Sequence, residues 1–191
     1  MNTSEIAIQD TQRWLERAVI GLNLCPFAKA VHVKGLIHYA VSEATTPVEL
    51  LIDLKNELNS LANMGVAGVS ISYDTTLLIA PYCLQDFLDF NDFLGKADKT
   101  IVKMKLEGTI QLANFHPRYQ FAGTEPDDIT NFTNRAPYPT LHLLRESSIA
   151  QAVEAFPEAE AIFEVNMATM ERLGLKGWDE LQVGATLNAT P

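Results

Sequence analysis

Hydrophobic positions along this 191-residue chain change their spacing several times, and each change predicts an element. Behind Thr3 and Ser4, which suit a helix cap, Ile8, Thr11, Leu15, Ala18, Val19 and Leu22 form one stripe that stops near Gly21. The pattern then becomes alternating. Val33, Gly35, Ile37, Tyr39 and Val41 fall on one face of a strand, with Lys34, Leu36, His38 and Ala40 on the other. Thr46-Pro47-Val48-Glu49 is a capping box with proline at the first helical position, and Leu50, Leu51, Leu54, Leu58 and Leu61 carry the helix on to Asn63. Thr75 to Ala80 suits a strand covered on both faces, ended by Pro81. A second long helix from Leu84 turns Phe87, Leu88, Phe90, Leu94, Ala97 and Ile101 inward and Asp86, Asp89, Asp92 and Asp98 outward.

Gly108 resets the chain, and Thr109 to Phe115 reads as a strand that delivers His116 at its C-terminal end. Leu141 to Arg145 predicts a further strand. Ser148, with Gln151 three residues on, then caps a helix reaching Phe156, which Pro157 interrupts. Ile162, Val165, Thr169 and Leu173 make the last stripe, stopped by Gly174, and Trp178 is the one anchor beyond it. Strands separated by helices predict an α/β fold: one domain over residues 1–174 with a small, mainly parallel or mixed sheet flanked by helices, and a partly mobile tail over 175–191. A ferredoxin-like α+β sandwich is the alternative. In α/β sheets ligands settle outside the C-terminal strand ends, where His116 and Pro81 to Cys83 would gather.

One stretch obeys neither period. Phe115 to Glu146, FHPRYQFAGTEPDDITNFTNRAPYPTLHLLRE, concentrates histidines, arginines, carboxylates and aromatics among four prolines. So long an irregular connection in a compact domain signals a binding or reacting segment, and Tyr119, Phe121, Phe132 and Tyr138 are there to anchor it.

Charge narrows the classes of partner. The chain has 24 acidic against 14 basic side chains and a formal charge of −10, so its field repels nucleic-acid backbones and anionic membrane surfaces. No apolar run reaches the ~18 residues of a membrane span. Cys25 and Cys83 have no paired spacing, and the first ten residues lack a basic segment followed by an apolar one, which predicts a reducing, cytoplasmic setting.

Against that field, Cys25 and His116 are the sharpest candidates for chemistry. Pro26 suits the first position of a short helix, which would put Cys25 at its N-cap and favour the thiolate. His116 would be its acid/base, oriented by Asp128, with Asp127 and Asn134 as alternative partners. The bland alternative packs Cys25 between Leu24 and Phe27 as a small hydrophobe. Arg118, Arg135 and Arg145, with Asn134 and His142, suit a small anionic ligand held by forked guanidinium groups. Equally, those arginines can pair with Glu125, Asp127, Asp128 and Glu146 and only fasten the loop. No metal-ligand spacing and no phosphate-binding glycine loop is present, so the sequence identifies no metal and no cofactor.

The blocks NLCPFA (Asn23 to Ala28), TTLLIAP (Thr75 to Pro81), LQDFLDFNDFL (Leu84 to Leu94), FHPRYQFAG (Phe115 to Gly123) and NRAPYPTLHLLRE (Asn134 to Glu146) resemble an uncharacterised bacterial family, domain of unknown function 1415. The likeness covers about residues 5 to 174. It implies a single-domain bacterial protein and carries over no catalytic residue. Residue chemistry therefore leads to an enzyme acting on a small anionic metabolite through Cys25, His116 and the arginine-rich loop. The alternative is a non-catalytic ligand-binding or protein-interaction domain with a structural cysteine.

Overall fold

The computed structural model describes residues 2–64, 73–154 and 161–187. Helix α1 (Thr3–Trp14) is capped by Asn2 rather than by Thr3 or Ser4: Asn2 Oδ1 accepts from the Glu5 amide and Glu5 accepts from the Asn2 amide. It runs on as a π-helical segment (Leu15–Ile20). A Cβ at Gly21 would lie 2.2 Å from the Arg17 carbonyl oxygen, so this tight exit requires glycine. Helix α2 (Ala28–Val33) takes Phe27 as N-cap, which leaves Cys25 outside the cap position expected for it. Because α2 claims Val33 and Gly35 turns the chain at φ +66°, strand β1 is shorter than its alternation suggests and spans Ile37–Val41.

Helix α3 (Pro47–Asn63) has the capping box expected of Thr46 and Glu49, with proline in its first turn. Strand β2 (Thr75–Ile79) is buried along its whole length. Helix α4 (Phe87–Lys103) is capped by Asp86, and its buried face is Phe90, Phe93, Ala97, Thr100 and Ile101. Leu88, expected inward, is 73% exposed, because the i, i+3, i+7 spacing from Phe90 turns it to the outside. Strand β3 (Ile110–Phe115) and strand β4 (Thr140–Arg145) follow. Helix α5 (Glu146–Glu154) begins where β4 ends, so Ser148 is not a cap; its hydroxyl donates instead to Asp74. The expected run to Phe156 and the break at Pro157 lie outside the described residues. Helix α6 (Ile162–Glu180) is broken at Gly174 (φ 66°) as expected, but helical turns resume beyond it.

The sheet order is β1-β2-β4-β3. β1 and β2 are parallel, and β4 runs antiparallel to both β2 and β3. This is a mixed α/β sheet in a single domain. Strands β1, β2 and β3 therefore point one way and finish at one edge, where β4 starts. Strand alternation sorts the side chains into two layers. His38, Ala40, Thr76, Leu78, Leu141, Leu143, Ile110 and Leu112 share a face, and Leu50, Leu54, Leu58 and Leu61 of α3 with Phe90, Phe93 and Ala97 of α4 cover it. Each such leucine contributes roughly 1.5–3 kcal/mol of burial. The opposite face holds Ile37, Tyr39, Val41, Ile79 and Phe115 against Ala7, Trp14, Leu15, Ala18 and Val19.

A buried carboxylate ties that second layer together. Asp10 is 1% exposed and accepts from the Tyr138 hydroxyl at 2.6 Å, from the Thr186 amide at 2.7 Å and from Arg13. Arg13 and Arg17 also donate to the carbonyls of Gln182, Gly184 and Leu181. The segment after Gly174 thus makes contacts well beyond Trp178. Burial alone would raise the Asp10 pKa, but the bonds from Tyr138, Thr186 and Arg13 outweigh it and leave the carboxyl below its ordinary value. Its stabilisation is present above the ordinary carboxyl pKa and is lost as pH falls through the depressed one. Asp10→Asn should lower unfolding free energy by about 2 kcal/mol at neutral pH. In urea titrations the gap between wild type and variant should close as pH drops below ~4; a gap constant in pH would mean that the charge contributes nothing.

Candidate functional site

Strand β3 ends at Phe115 and places His116 just outside the sheet, at the edge where β1 and β2 also finish. The ring is fully buried and lies 5.3 Å from Phe87 and 5.1 Å from Phe90 of α4. Nε2–H donates to the Leu84 carbonyl at 3.0 Å, and Nδ1 accepts from the Arg118 amide at 3.0 Å. With a neutral ring only one nitrogen carries a proton, so these two bonds fix the tautomer. Burial, helped by the nearby Arg118 and Arg135 charges, holds the ring at about 4 instead of the ordinary 6.5. Leu84 sits at φ 57°, a strained position for a branched residue, and the imidazole holds its carbonyl.

The loop beyond is folded by its own polar side chains. Asn131, fully buried, accepts from the Phe121 amide at 2.9 Å and donates to the Glu125 carbonyl at 2.8 Å. Asp128 caps the short 3-10 helix Ile129–Asn134 by accepting from Thr130 N–H and hydroxyl, as an Asx-type turn should. The aromatics dock it: Tyr119 on Phe87 at 5.1 Å, Phe132 on Trp178 at 5.2 Å.

Two of the three arginines meet here. Arg118 donates to the Gln85 carbonyl and lies 3.6 Å from Asp86. Arg135 stacks 3.9 Å over Phe132 and donates to the carbonyls of Tyr119 and Pro126. Both line one open cleft of about 310 Å³, with Asp86, Phe87, Leu88, Gln120 and Pro126. The alternative in which these arginines fasten the loop through Glu125, Asp127 and Asp128 does not find those partners: both bond backbone carbonyls, and the carboxylate beside Arg118 is Asp86. Arg145 is elsewhere. Because β4 runs antiparallel, its last residue reaches the opposite edge, where Arg145 donates to Leu61 and Met64 carbonyls at the end of α3 and lies 3.6 Å from Asp74.

The other sequence candidates are also dispersed. Cys25 is partly buried and packs with the Trp14, Ala18 and Ala136 cluster on the α1 side of the sheet, whereas His116 packs on α4. Asn134 reaches His116 only through its carbonyl, which accepts from the His116 amide at 3.2 Å. His142 lies mid-strand on the α1 face. Thr75 Oγ1 donates to the Leu143 carbonyl and so accepts from His142 Nε2–H at 2.7 Å, and burial lowers this ring too, to about 4. Cys83 is buried, which pushes its thiol up. Among the described residues no three His, Cys, Asp or Glu side chains group as metal ligands, and no helix is long and apolar enough to cross a membrane. Sequence reasoning missed Gln120 and Pro126 and misplaced Leu88. The signal available for Leu88 was its position opposite the Phe90, Phe93 and Ala97 stripe.

The fold and cleft define a single-domain α/β protein whose irregular β3–β4 connection builds an arginine-lined recess. The chain belongs to the family described as protein of unknown function (DUF1415), whose model matches residues 6–180. No curated protein and no solved structure matches it.

Two outcomes follow from the buried rings and thiols. Between about pH 5 and pH 8 the carbon-bound ring protons of His116 and His142 should keep constant chemical shifts in NMR titrations. Since the unfolded chain binds these protons near the ordinary 6.5 and the folded one near 4, stability should rise with pH between about 4 and 6.5 and level off above that. Each ring contributes at most about 1.4 kcal/mol per pH unit. A midpoint close to 6.5 at His116 would show the ring open to water. In native protein, iodoacetamide should modify Cys25 well before the 3% exposed Cys83, checked by peptide mass mapping; equal rates would contradict the packing.

Proposed function

We propose that this protein is a ligand-binding domain that takes a small anion in the Arg118–Arg135 cleft. One observation carries the reading: in a chain of charge −10, Arg118 and Arg135 line the same recess at the edge where β1, β2 and β3 end. Each arginine is oriented by carbonyls behind it, Gln85 for Arg118 and Tyr119 and Pro126 for Arg135. A fork held in this way loses little side-chain entropy when it grips a carboxylate or phosphate. Arg135 is also half-buried, where its charge is less screened than on an open surface.

His116 acts in this reading as the post of the cleft wall, joining the Leu84 carbonyl to the Arg118 amide. A thiol mechanism with His116 as base would need a ring nitrogen facing the Cys25 sulfur, and both nitrogens face backbone groups. The reading is tested by isothermal titration of inorganic phosphate and acetate into wild type, Arg118→Gln and Cys25→Ser. Arg118 is largely exposed, so its replacement should leave the circular dichroism spectrum intact while weakening anion binding about tenfold or more. Cys25→Ser should bind as wild type does. Equal affinity in Arg118→Gln, or loss of binding in Cys25→Ser with the fold intact, would overturn it.

A further inference from the structure

The cleft has a second chemical character besides its arginines. Phe87, Leu88 and Pro126 line it beside the guanidinium groups. Leu88 lies in the first turn of α4, is 73% exposed and packs into neither apolar layer. Asp86, the N-cap of α4, is fixed as a carboxylate by the amides of Asp89 and Leu88, which hold its pKa below the ordinary value. Two fixed cations and one fixed anion leave the lining with a single net positive charge.

That balance discriminates among anions. A monoanion neutralises the recess, whereas a dianion such as hydrogen phosphate brings excess negative charge towards Asp86 in an already acidic protein. The apolar wall discriminates further. An ion that is charged all round leaves Phe87, Leu88 and Pro126 in water, whereas an acid with a hydrocarbon body covers them as its carboxylate reaches Arg118 and Arg135. A recess of about 310 Å³ is at the small end for ligand sites and suits a short chain or one ring.

We propose that the cleft selects amphiphilic monocarboxylic acids, the carboxylate on Arg118 and Arg135 and the apolar body on Phe87, Leu88 and Pro126. This rests on the anion-binding reading above and adds the class of ligand. The test titrates acetate, butanoate, hexanoate and octanoate, with inorganic phosphate alongside, into wild type, Leu88→Ser and Arg118→Gln. In wild type each added methylene should tighten binding, by about two- to fourfold until the wall is covered, and every acid longer than acetate should bind more tightly than phosphate. Leu88→Ser, a change at an exposed position, should flatten the chain-length series, weakening hexanoate and octanoate by a larger factor than acetate. Arg118→Gln should weaken all four acids by a common factor.

Acids of equal affinity, phosphate tightest of all, or an unaltered series in Leu88→Ser would each overturn this proposal while the anion cleft stands. Binding of octanoate that survives Arg118→Gln undiminished would mean nonspecific apolar adsorption and overturn it as well. Failure of every anion to bind would remove both readings together.

Discussion

A neutral imidazole locked between two backbone groups is the constraint on which this edge of the molecule depends. His116 receives the Arg118 amide on one nitrogen and gives its proton to the Leu84 carbonyl with the other. It thereby ties three segments that are remote in sequence: the end of β3, the left-handed turn at Leu84 ahead of α4, and the first residues of the irregular connection. Protonation would turn Nδ1 from acceptor to donor and set it against the Arg118 amide, in a fully buried site. Two aromatic rings of α4 complete the enclosure. The left-handed turn at Leu84, the Arg118 amide and the wall of the cleft all meet at that one buried ring.

Around this pin the loop behaves as a small scaffold of its own. Asn131 supplies the polar centre, Asp128 the turn, and the aromatic contacts to α4 and α6 the docking. Its arginines are held from behind by carbonyl oxygens, and a cation so held presents its remaining donors in a fixed direction. Local fastening and outward presentation are therefore compatible roles for the same guanidinium group. Arg145 shows the first role alone, at the opposite edge, where it meets the negative end of α3.

The layered fold was largely legible in the residue pattern, because it is written in periods. The α3 leucines, the fully buried β2 run and the strand that ends at His116 all follow from spacing and caps. Errors arose where a neighbour outside the local window decided the outcome. Val33 alternates with β1 yet belongs to α2, and Ser148 resembles a cap yet lies inside a helix that β4 feeds without a break. The site was legible as a segment but not as a set. Arg118 and Arg135 converge while Arg145, in the same segment, is carried to the far edge by the antiparallel course of β4, and pairing direction has no signature in composition. Asp10 was invisible for a related reason: a carboxylate on a helix reads as a solvated face until partners at positions 138 and 186 are known.

That last carboxylate has a bearing on how the second layer holds together. Asp10 belongs to α1, but its hydrogen-bond donors at Tyr138 and Thr186 are separated from it by 128 and 176 positions. Arg13 is the one partner within α1, and without the two distant donors the buried charge would be left undersatisfied. The buried acid thereby couples α1, the irregular connection and the segment around Thr186, so that the second layer opens and closes over the sheet as one cooperative unit.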